Sequence, residues 1–445
     1  MSEPTVDLQA LAQKAGIAPE YVVPYGREVA KIELGALGSK EQKARYVVVT
    51  ATSPTPFGEG KTTTAIGLVQ GMAKIDRNAV LTIRQPAQGP VFGIKGGATG
   101  NGASQVEPAT LINLHLTGDF HAITAAHNLL SAIIDNHLYQ GNELEIEERS
   151  ITWPRVLDVN DRALRHIVTG LGGRIDGVTR QSSFDITPAS EVMVIMSLAT
   201  SLKDLRERLG RIVIGRSKSG KWITAEDLQA AGAMTALLRD ALQPNLLRTS
   251  ENTPVLIHTG PFGNIATGCS SVVADLIAAQ HADYVVTEAG FGADMGAERF
   301  FDLKCAVSGL RPHAAVLVTT VRSLKSHSGK FKITTGKGLP EQMLAESPQD
   351  VRAGQANLLK HIEIVRGFGM EPVVAINVFP TDHESELVEI EAIAREAGAR
   401  VARSYGVVRG GEGCTELAQA VEQACQAGEG QNQARPLYER EDDLK

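Results

Sequence analysis

The chain has 445 residues, a formal net charge of −7, 43% hydrophobic residues and 21% charged residues. This length exceeds one ordinary core and predicts two or more domains, and the composition is that of a soluble globular protein. The acidic balance and the lack of a basic stripe argue against nucleic-acid binding, and no apolar run is long enough to span a membrane.

The N-terminus and the cysteines indicate the compartment. The first residues lack a charged n-region followed by an apolar h-region, so no secretory signal is predicted. The four cysteines are scattered without a C-x-x-C pair, which argues against a zinc site and against a disulfide framework. We therefore expect a cytoplasmic protein.

Six short apolar runs recur along the chain and predict strands. They read YVVVTATS, AVLTIRQ, PVLIHTG, DYVVTEAG, AAVLVTT and PVVAINVF. Their β-branched residues show little polar alternation, as in strands that are buried on both faces. Because most of these runs precede a helix-like stretch, the pattern predicts an α/β fold with a doubly wound, mostly parallel sheet, like that of P-loop NTPases.

Ligands of such sheets bind beyond the carboxyl ends of the strands, so polar residues at those ends are candidate site residues. In this chain they are Lys61, Arg84, His258, Glu288, Arg322, Asn377 and Asp382.

Residues 123–253 have a different character. SEVMVIMSLATSLKDLRERLG predicts a helix with an apolar stripe, and RIVIGRSKSGKWITAEDL predicts a β-hairpin that turns at Ser-Lys-Ser-Gly. We expect an inserted α+β domain here, between a first part of the core at 1–122 and its continuation at 254–425. Residues 426–445 are polar and contain glycine, and they predict a tail.

The stretch TPFGEGKTTT, which follows the first predicted strand, is typical of a phosphate-binding loop. Its glycines allow successive N–H groups to face an anion, and the following helix adds its positive N-terminal end. Lys61 would reach the terminal phosphates, and Thr62 would hold Mg²⁺. Thr55 stands where the usual loop has glycine, and the alternative is an ordinary strand–helix turn. The predicted nucleotide-binding residues are Thr55, Pro56, Phe57, Gly58, Glu59, Gly60, Lys61 and Thr62.

Arg84 ends the next predicted strand. A guanidinium group there suits a carboxylate or an acyl phosphate in bidentate fashion, or it is a structural ion-pair partner. A glycine cluster follows, which indicates either close approach of the backbone to a ligand or a mobile loop. Its members are Gly93, Gly96, Gly97, Gly100 and Gly102.

Three histidines lie in INLHLTGDFHAITAAHN, at positions 115, 121 and 127. A metal site is one interpretation. Their spacing matches no tight zinc pattern, so we predict structural histidines instead.

These motifs resemble those of the formate–tetrahydrofolate ligase family, over about residues 17–437. The family's own loop has threonine at the position of Thr55. The matching stretches are TPFGEGKTTT, GPVFGIKGGATGNG, INLHLTGDFHAI, GPFGNIATGC, TEAGFGADMGAERFFDLKC, VTTVRSLKSH and GGEGC.

The resemblance implies an ATP-dependent ligase that phosphorylates formate to formyl phosphate and transfers the formyl group to N10 of tetrahydrofolate. Carried over by motif position, the loop from Thr55 to Thr62 binds ATP with Mg²⁺. Lys61 neutralises the transferring phosphoryl group, and Arg84 holds formate and then formyl phosphate. Homo-oligomers are also implied.

Phe379 and Pro380 match the family position where an aromatic ring packs on the flat folate ring system. The alternative is a core phenylalanine at a strand end. On this acceptor side the chain departs from the family: Asn101 replaces glycine, Ala103 replaces tyrosine and Val407 stands where the family has tryptophan. The family's further C-terminal region is not expected in a sequence that stops at residue 445.

Three functions are compatible with these observations. The first is the ligase, with a weakened folate site or one completed by a separate C-terminal-like subunit. The second is a diverged ligase that passes a formyl or similar small acyl phosphate to another amine. The third is a non-catalytic nucleotide-binding subunit, and the presence of Lys61, Thr62 and Arg84 argues against it.

Overall fold

Among the residues that the structure describes, the strands form one large sheet and three small two-stranded sheets. The computed structural model describes residues 6–38, 41–93, 99–333, 338–428, 434–439 and 441–443. Gly96 and Gly97 of the predicted glycine cluster lie outside these ranges. The strands are β1 (Val22–Pro24), β2 (Ala30–Ile32), β3 (Arg45–Ala51), β4 (Ala79–Ile83), β5 (Gly100–Asn101), β6 (Ser104–Glu107), β7 (Arg155–Leu157), β8 (Ile167–Thr169), β9 (Arg180–Ser182), β10 (Phe184–Ile186), β11 (Val213–Arg216), β12 (Trp222–Thr224), β13 (Asn245–Thr249), β14 (Pro254–Ile257), β15 (Tyr284–Glu288), β16 (Ala314–Thr319), β17 (Pro372–Asn377) and β18 (Arg400–Ser404).

Helices surround the large sheet. Two π-helical segments, Ala293–Ala297 and Phe300–Cys305, follow β15. The α-helices are α1 (Leu8–Lys14), α2 (Lys61–Lys74), α3 (Gln88–Val91), α4 (Ala109–Leu114), α5 (Asp119–Tyr139), α6 (Glu191–Leu198), α7 (Leu202–Gly210), α8 (Ala231–Leu238), α9 (Val272–His281), α10 (Ala306–Ser308), α11 (Val321–His327), α12 (Pro348–Ala353), α13 (Gln355–Gly367), α14 (Glu384–Glu396), α15 (Gly406–Arg409) and α16 (Thr415–Ala427).

The centre of the large sheet is parallel. Its parallel strands run in the order β14-β4-β15-β3-β16-β17-β18. An antiparallel extension of β13, β2 and β1 continues beyond β14, and the β5–β6 ribbon joins it through β13. The six predicted strands became β3, β4, β14, β15, β16 and β17, so the predicted α/β class with a mostly parallel sheet is confirmed.

Both faces of the parallel sheet are covered. Along β3, Val47 and Val49 belong to the core beneath α2 and α16, whereas Val48 belongs to the opposite core beneath α9, α13 and α14. This alternation is the two-residue period of a strand, and it explains why the sequence shows a continuous apolar run. The sheet is thus doubly wound, and the loops that follow its parallel strands lie together at the carboxyl ends of those strands.

A third apolar core is built mainly from residues that lie between β6 and β13 in the chain. It is formed mainly by α5, α6, α7, α8 and the β11–β12 hairpin, with Leu130, Met196, Leu209, Met234 and Ile214 among its buried residues. The hairpin predicted at Ser-Lys-Ser-Gly is confirmed by its antiparallel register. Helix α5 begins before residue 123, and β13 belongs to the large sheet, so the division at 123 and 253 stays a prediction.

The described part of the tail returns to the main body. The N–H of Arg435 donates to the carbonyl of Phe368 over 3.1 Å, and the N–H of Leu437 donates to the Asp302 carboxylate over 2.8 Å. Among the described residues, no helix combines the length and the apolar character that crossing a membrane requires.

His258, which follows β14, makes the stability of the fold sensitive to acid. Its Nε2 atom donates to the carbonyl of Ala241 over 2.7 Å, and its Nδ1 atom accepts from the Ser271 hydroxyl over 2.6 Å. Burial lowers the pKa of His258 to about 4. Below the ordinary histidine pKa of about 6.5, the unfolded chain takes up a proton that the fold resists, so stability falls between pH 6.5 and pH 4.

When the pH drops from 7 to 5, we expect the unfolding free energy of the parent to fall by about 2 kcal/mol more than that of His258→Gln. Urea unfolding at both pH values measures this difference, and any pH-independent cost of the substitution cancels. Equal losses in the two proteins would show that His258 does not carry the effect.

Candidate active site

The loop of residues 55–62 follows β3 and runs into the first turn of α2. Hydrogen bonds of Thr55 fix the shape of this loop. The N–H of Thr55 donates to Oε1 of the buried Glu59 side chain over 2.6 Å. The N–H of Phe57 donates to the Thr55 hydroxyl over 3.3 Å, and the N–H of Gly58 donates to the Thr55 carbonyl over 3.1 Å. The hydroxyl contact is one that glycine could not make, which gives a physical reason for threonine at this position.

Gly60 places the start of α2 against β17. It precedes the helix in a left-handed conformation, with φ of 76°. An added Cβ atom would lie 2.2 Å from Nδ2 of Asn377, and that nitrogen donates to the carbonyl of Glu59 over 3.1 Å. The first four N–H groups of a helix have no acceptor within it, so this tight contact keeps the free N-terminal amides of α2 beside the loop.

Glu288, the last residue of β15, meets two of the predicted site residues. Its Oε2 atom accepts from the Thr62 hydroxyl over 2.7 Å, and its Oε1 atom lies 3.8 Å from Nε of Arg84. The Glu288 side chain is only 6% exposed. Strand β15 lies between β3 and β4. The sheet therefore brings Thr62, which follows β3, and Arg84, which follows β4, to the Glu288 carboxylate.

Arg84 is partly buried beside β15. Its Nη1 atom donates to the carbonyl of Pro261 over 3.1 Å, and its Nε atom is buried with no hydrogen-bond partner among the residues that the structure describes. A Cβ atom at Gly290 would lie 3.0 Å from Nη2, so glycine there leaves room for the guanidinium group. Arg84 therefore keeps donors for a carboxylate ligand, although it also faces Glu288.

The structure thus brings Thr62 and Arg84 together and adds Glu288. The sequence placed Glu288 among the polar residues at strand ends, but assigned it no role. The missing information was strand order, because β15 lies far along the chain from β3 and β4 and yet pairs with both.

The predicted acceptor residues lie around the end of β17. The guanidinium carbon of Arg322 lies 3.5 Å from the centroid of the Phe379 ring, and the N–H of Phe379 donates to Asp382 over 2.8 Å. Burial raises the pKa of Asp382 and lowers the pKa of Arg322. Pro380 is exposed and Phe379 is half-buried, so the phenylalanine is accessible at the site rather than enclosed in the core.

Val407 contacts a different element. Its carbonyl accepts from the N–H of Ala103 over 2.9 Å, and a Cβ atom at Gly102 would lie 2.1 Å from the same carbonyl. Val407 therefore packs on the glycine-rich β5–β6 ribbon, while the ring of Phe379 is covered by Arg322.

The three histidines of the INLHLTGDFHAITAAHN stretch do not form one cluster. His127 is buried and stacked on Trp153, with ring centroids 4.1 Å apart, and burial lowers its pKa to about 4. His115 and His121 are exposed, and their ring nitrogens approach to 2.8 Å. Among the described residues, no group of three or more His, Cys, Asp or Glu side chains is arranged to hold a metal ion.

A parallel α/β sheet with a glycine-containing loop ahead of a helix, and with a hydroxyl, a carboxylate and an arginine beside it, has the features of a nucleotide-dependent enzyme. The family model for formate–tetrahydrofolate ligase matches residues 2–445. The chain therefore belongs to the formate–tetrahydrofolate ligase family.

Individual relatives agree with this membership. A formate–tetrahydrofolate ligase of Cutibacterium acnes is 60% identical over 439 residues, which are 98% of this chain and 77% of that protein. One of Saccharopolyspora erythraea is 59% identical over 440 residues, covering 98% of this chain and 77% of its own length. Formate–tetrahydrofolate ligase 3 of Rubrobacter xylanophilus is 58% identical over 425 residues, which are 95% of this chain and 74% of that protein.

The contact between Gly60 and Asn377 predicts different effects for two glycine substitutions in the loop. Both Gly58 and Gly60 have positive φ, but a Cβ atom at Gly58 meets nothing within 4 Å. Gly58→Ala therefore adds only backbone strain of about 1–2 kcal/mol. Gly60→Ala also displaces Asn377, so we expect it to weaken Mg·ATP binding at least tenfold more than Gly58→Ala does.

Isothermal titration of each variant with Mg·ATP measures the two dissociation constants, and circular dichroism controls for folding. Equal dissociation constants for the two variants would show that the Gly60–Asn377 contact does not shape the loop.

Proposed function

We propose that this protein uses ATP to activate formate as formyl phosphate and then transfers the formyl group to N10 of tetrahydrofolate. The observation that carries the proposal is the meeting of Thr62 and Arg84 at the Glu288 carboxylate. The loop of residues 55–62 and Arg84 thus lie at the same edge of the sheet, which supports a phosphate site beside a carboxylate site. Such a pair is what phosphoryl transfer to a small carboxylate requires.

The nucleotide half of the site is the loop of residues 55–62 and the start of α2. The helix N-terminus and the ammonium group of Lys61 stabilise negative charge on the transferring phosphoryl group. The Thr62 hydroxyl and the Glu288 carboxylate are hard oxygen donors in contact with each other, and this donor set fits Mg²⁺. When bound, Mg²⁺ supplies charge neutralisation between the phosphates.

Arg84 holds the carboxylate half of the reaction. A formate oxygen attacks the terminal phosphorus of ATP, the bond from that phosphorus to the bridging oxygen breaks, and ADP leaves. Arg84 holds the carboxylate in line for this attack and remains paired with formyl phosphate afterwards. N10 of the folate then attacks the formyl carbon, inorganic phosphate leaves and N10 loses its proton.

The acceptor half of the site centres on Phe379. Its ring suits the planar folate ring system, which would share or displace the contact with the Arg322 guanidinium group, and Asp382 adds a carboxylate beside it. Val407 provides no second aromatic face, and the loss of one stacking partner weakens a flat ligand by about 1–3 kcal/mol. We therefore propose that folate binds here with one ring wall supplied by Phe379.

The assembly and the compartment of the enzyme are proposed from its family membership and its sequence. We propose that it forms homo-oligomers and works in the cytoplasm. A separate C-terminal-like subunit that completes the folate site stays a prediction.

Lys61→Ala should reduce ADP formation in the presence of formate and tetrahydrofolate at least a hundredfold, because the charge on the transferring phosphoryl group loses its ammonium partner. Lys74→Ala is the matched control. Lys74 ends the same helix but pairs with Glu251, so its removal should leave turnover within a few-fold of the parent. Formate-dependent turnover that survives Lys61→Ala would overturn the assignment of the loop.

Phe379→Leu keeps an apolar side chain but removes the flat ring face. We expect it to raise KM for tetrahydrofolate about tenfold while KM for ATP and for formate stays within twofold, since stacking contributes about 1–3 kcal/mol per ring. Phe379→Tyr, which keeps the ring, should restore the parent value. Steady-state kinetics with each substrate varied in turn makes the measurement, and a Phe379→Leu enzyme with unchanged folate KM would place the acceptor elsewhere.

A further inference from the structure

We propose that Glu288 couples the two halves of the site, because its carboxylate competes with formate for Arg84 until Mg·nucleotide engages that carboxylate. This inference rests on the proposed function and deepens it. It gives Glu288 a role in substrate binding beyond that of a metal ligand, and it predicts the sign of the effect of removing its charge.

The first line of support is the sharing of one carboxylate. Glu288 uses Oε2 for the Thr62 hydroxyl at 2.7 Å and presents Oε1 to Arg84 at 3.8 Å. Thr62 belongs to the nucleotide half of the site and Arg84 to the formate half. The Glu288 side chain is 6% exposed and the Arg84 side chain is 24% exposed, so water screens their charges only partly.

The second line of support is that the described residues use only some of the hydrogen-bond donors of Arg84. Its contact with Glu288 is a charge contact rather than a hydrogen bond, since 3.8 Å exceeds hydrogen-bond length. Its Nε atom is buried and lacks an acceptor within the described residues, and Nη1 donates to the neutral carbonyl of Pro261. A small carboxylate that makes bidentate bonds would therefore bind Arg84 better than Glu288 does, but it would do so against the repulsion of the Glu288 charge.

The third line of support is the chemistry of the Thr62–Glu288 pair. A divalent cation held by these oxygens neutralises the Glu288 carboxylate and lowers both its attraction for Arg84 and its repulsion of a second carboxylate. Nucleotide and formate then favour each other's binding. Because such coupling is reciprocal, Mg·nucleotide must tighten formate by the same factor by which formate tightens Mg·nucleotide.

The consequence is that Arg84 holds formate firmly only when a phosphoryl donor is in place. In this proposal one buried negative group serves two positive partners in turn, first Arg84 and then the metal. Glu288 would thus be a metal ligand that also controls the affinity for formate.

Titration of ¹³C-labelled formate, followed by NMR, tests the inference in the full chain. In the parent, Mg·ADP should tighten formate binding about tenfold relative to the protein in EDTA, within the usual range of coupling between sites. Glu288→Gln keeps a side-chain oxygen for Thr62 but removes the charge. It should bind formate about tenfold tighter than the parent in EDTA, and Mg·ADP should then change its affinity less than threefold.

The matched control is Asp294→Asn. Asp294 is a half-exposed carboxylate in the π-helical segment Ala293–Ala297 that follows β15, and it faces His361 rather than Arg84. Its removal changes the net charge equally and should leave both the formate affinity in EDTA and the Mg·ADP effect at the parent values. Thermal unfolding and binding of metal-free ADP verify that Glu288→Gln is folded.

Two outcomes overturn the inference in different ways. If Glu288→Gln binds formate no tighter than the parent in EDTA, while Arg84→Ala loses formate binding, the competition does not exist and the proposed function stands. If the parent binds no formate, or Arg84→Ala binds it as well as the parent does, the assignment of Arg84 fails and the inference fails with it.

Discussion

The hydrogen bond from the Thr62 hydroxyl to Glu288 joins residues that lie 226 positions apart in the chain, and the site depends on the constraint that makes it possible. That constraint is the insertion of β15 between β3 and β4. Parallel pairing aligns the carboxyl ends of the three strands, so a loop, a carboxylate and an arginine meet at one edge. Without this strand order, the same residues would be separate polar groups on separate loops.

Buried ion pairs join helices to the sheet and to each other. Lys31 of β2 contacts Asp119 at the start of α5 over 2.6 Å, which ties the antiparallel part of the sheet to that helix. Lys325 of α11 contacts Glu386 of α14 and donates to the carbonyl of Met343 over 2.9 Å. Both pairs are nearly inaccessible to water, and loss of one partner from such a pair costs about 3–5 kcal/mol. The second pair joins α11, which contains Arg322, to α14, which begins two residues after Asp382.

The loop of residues 55–62 and the Phe379 side chain are positioned by different kinds of contact. In the loop, the N–H of Thr55 donates to the Glu59 carboxylate, and Gly60 lies so close to Asn377 that there is no room for a Cβ atom. In the acceptor half, Phe379 is half-buried and is covered by the guanidinium group of Arg322, a contact worth about 0.5–2 kcal/mol. A flat ligand has to share or displace that contact.

The sequence by itself determined the class of fold and predicted the loop ahead of α2, because both depend on local pattern. Apolar runs of strand length predicted the six parallel strands, and glycine spacing ahead of Lys61 predicted the phosphate loop. The family, too, was readable from its motifs. Tertiary structure alone decided that Glu288 serves both Thr62 and Arg84, and that Arg322 covers Phe379. Strand order and side-chain direction set these contacts, and neither is encoded in residues that are neighbours in the chain.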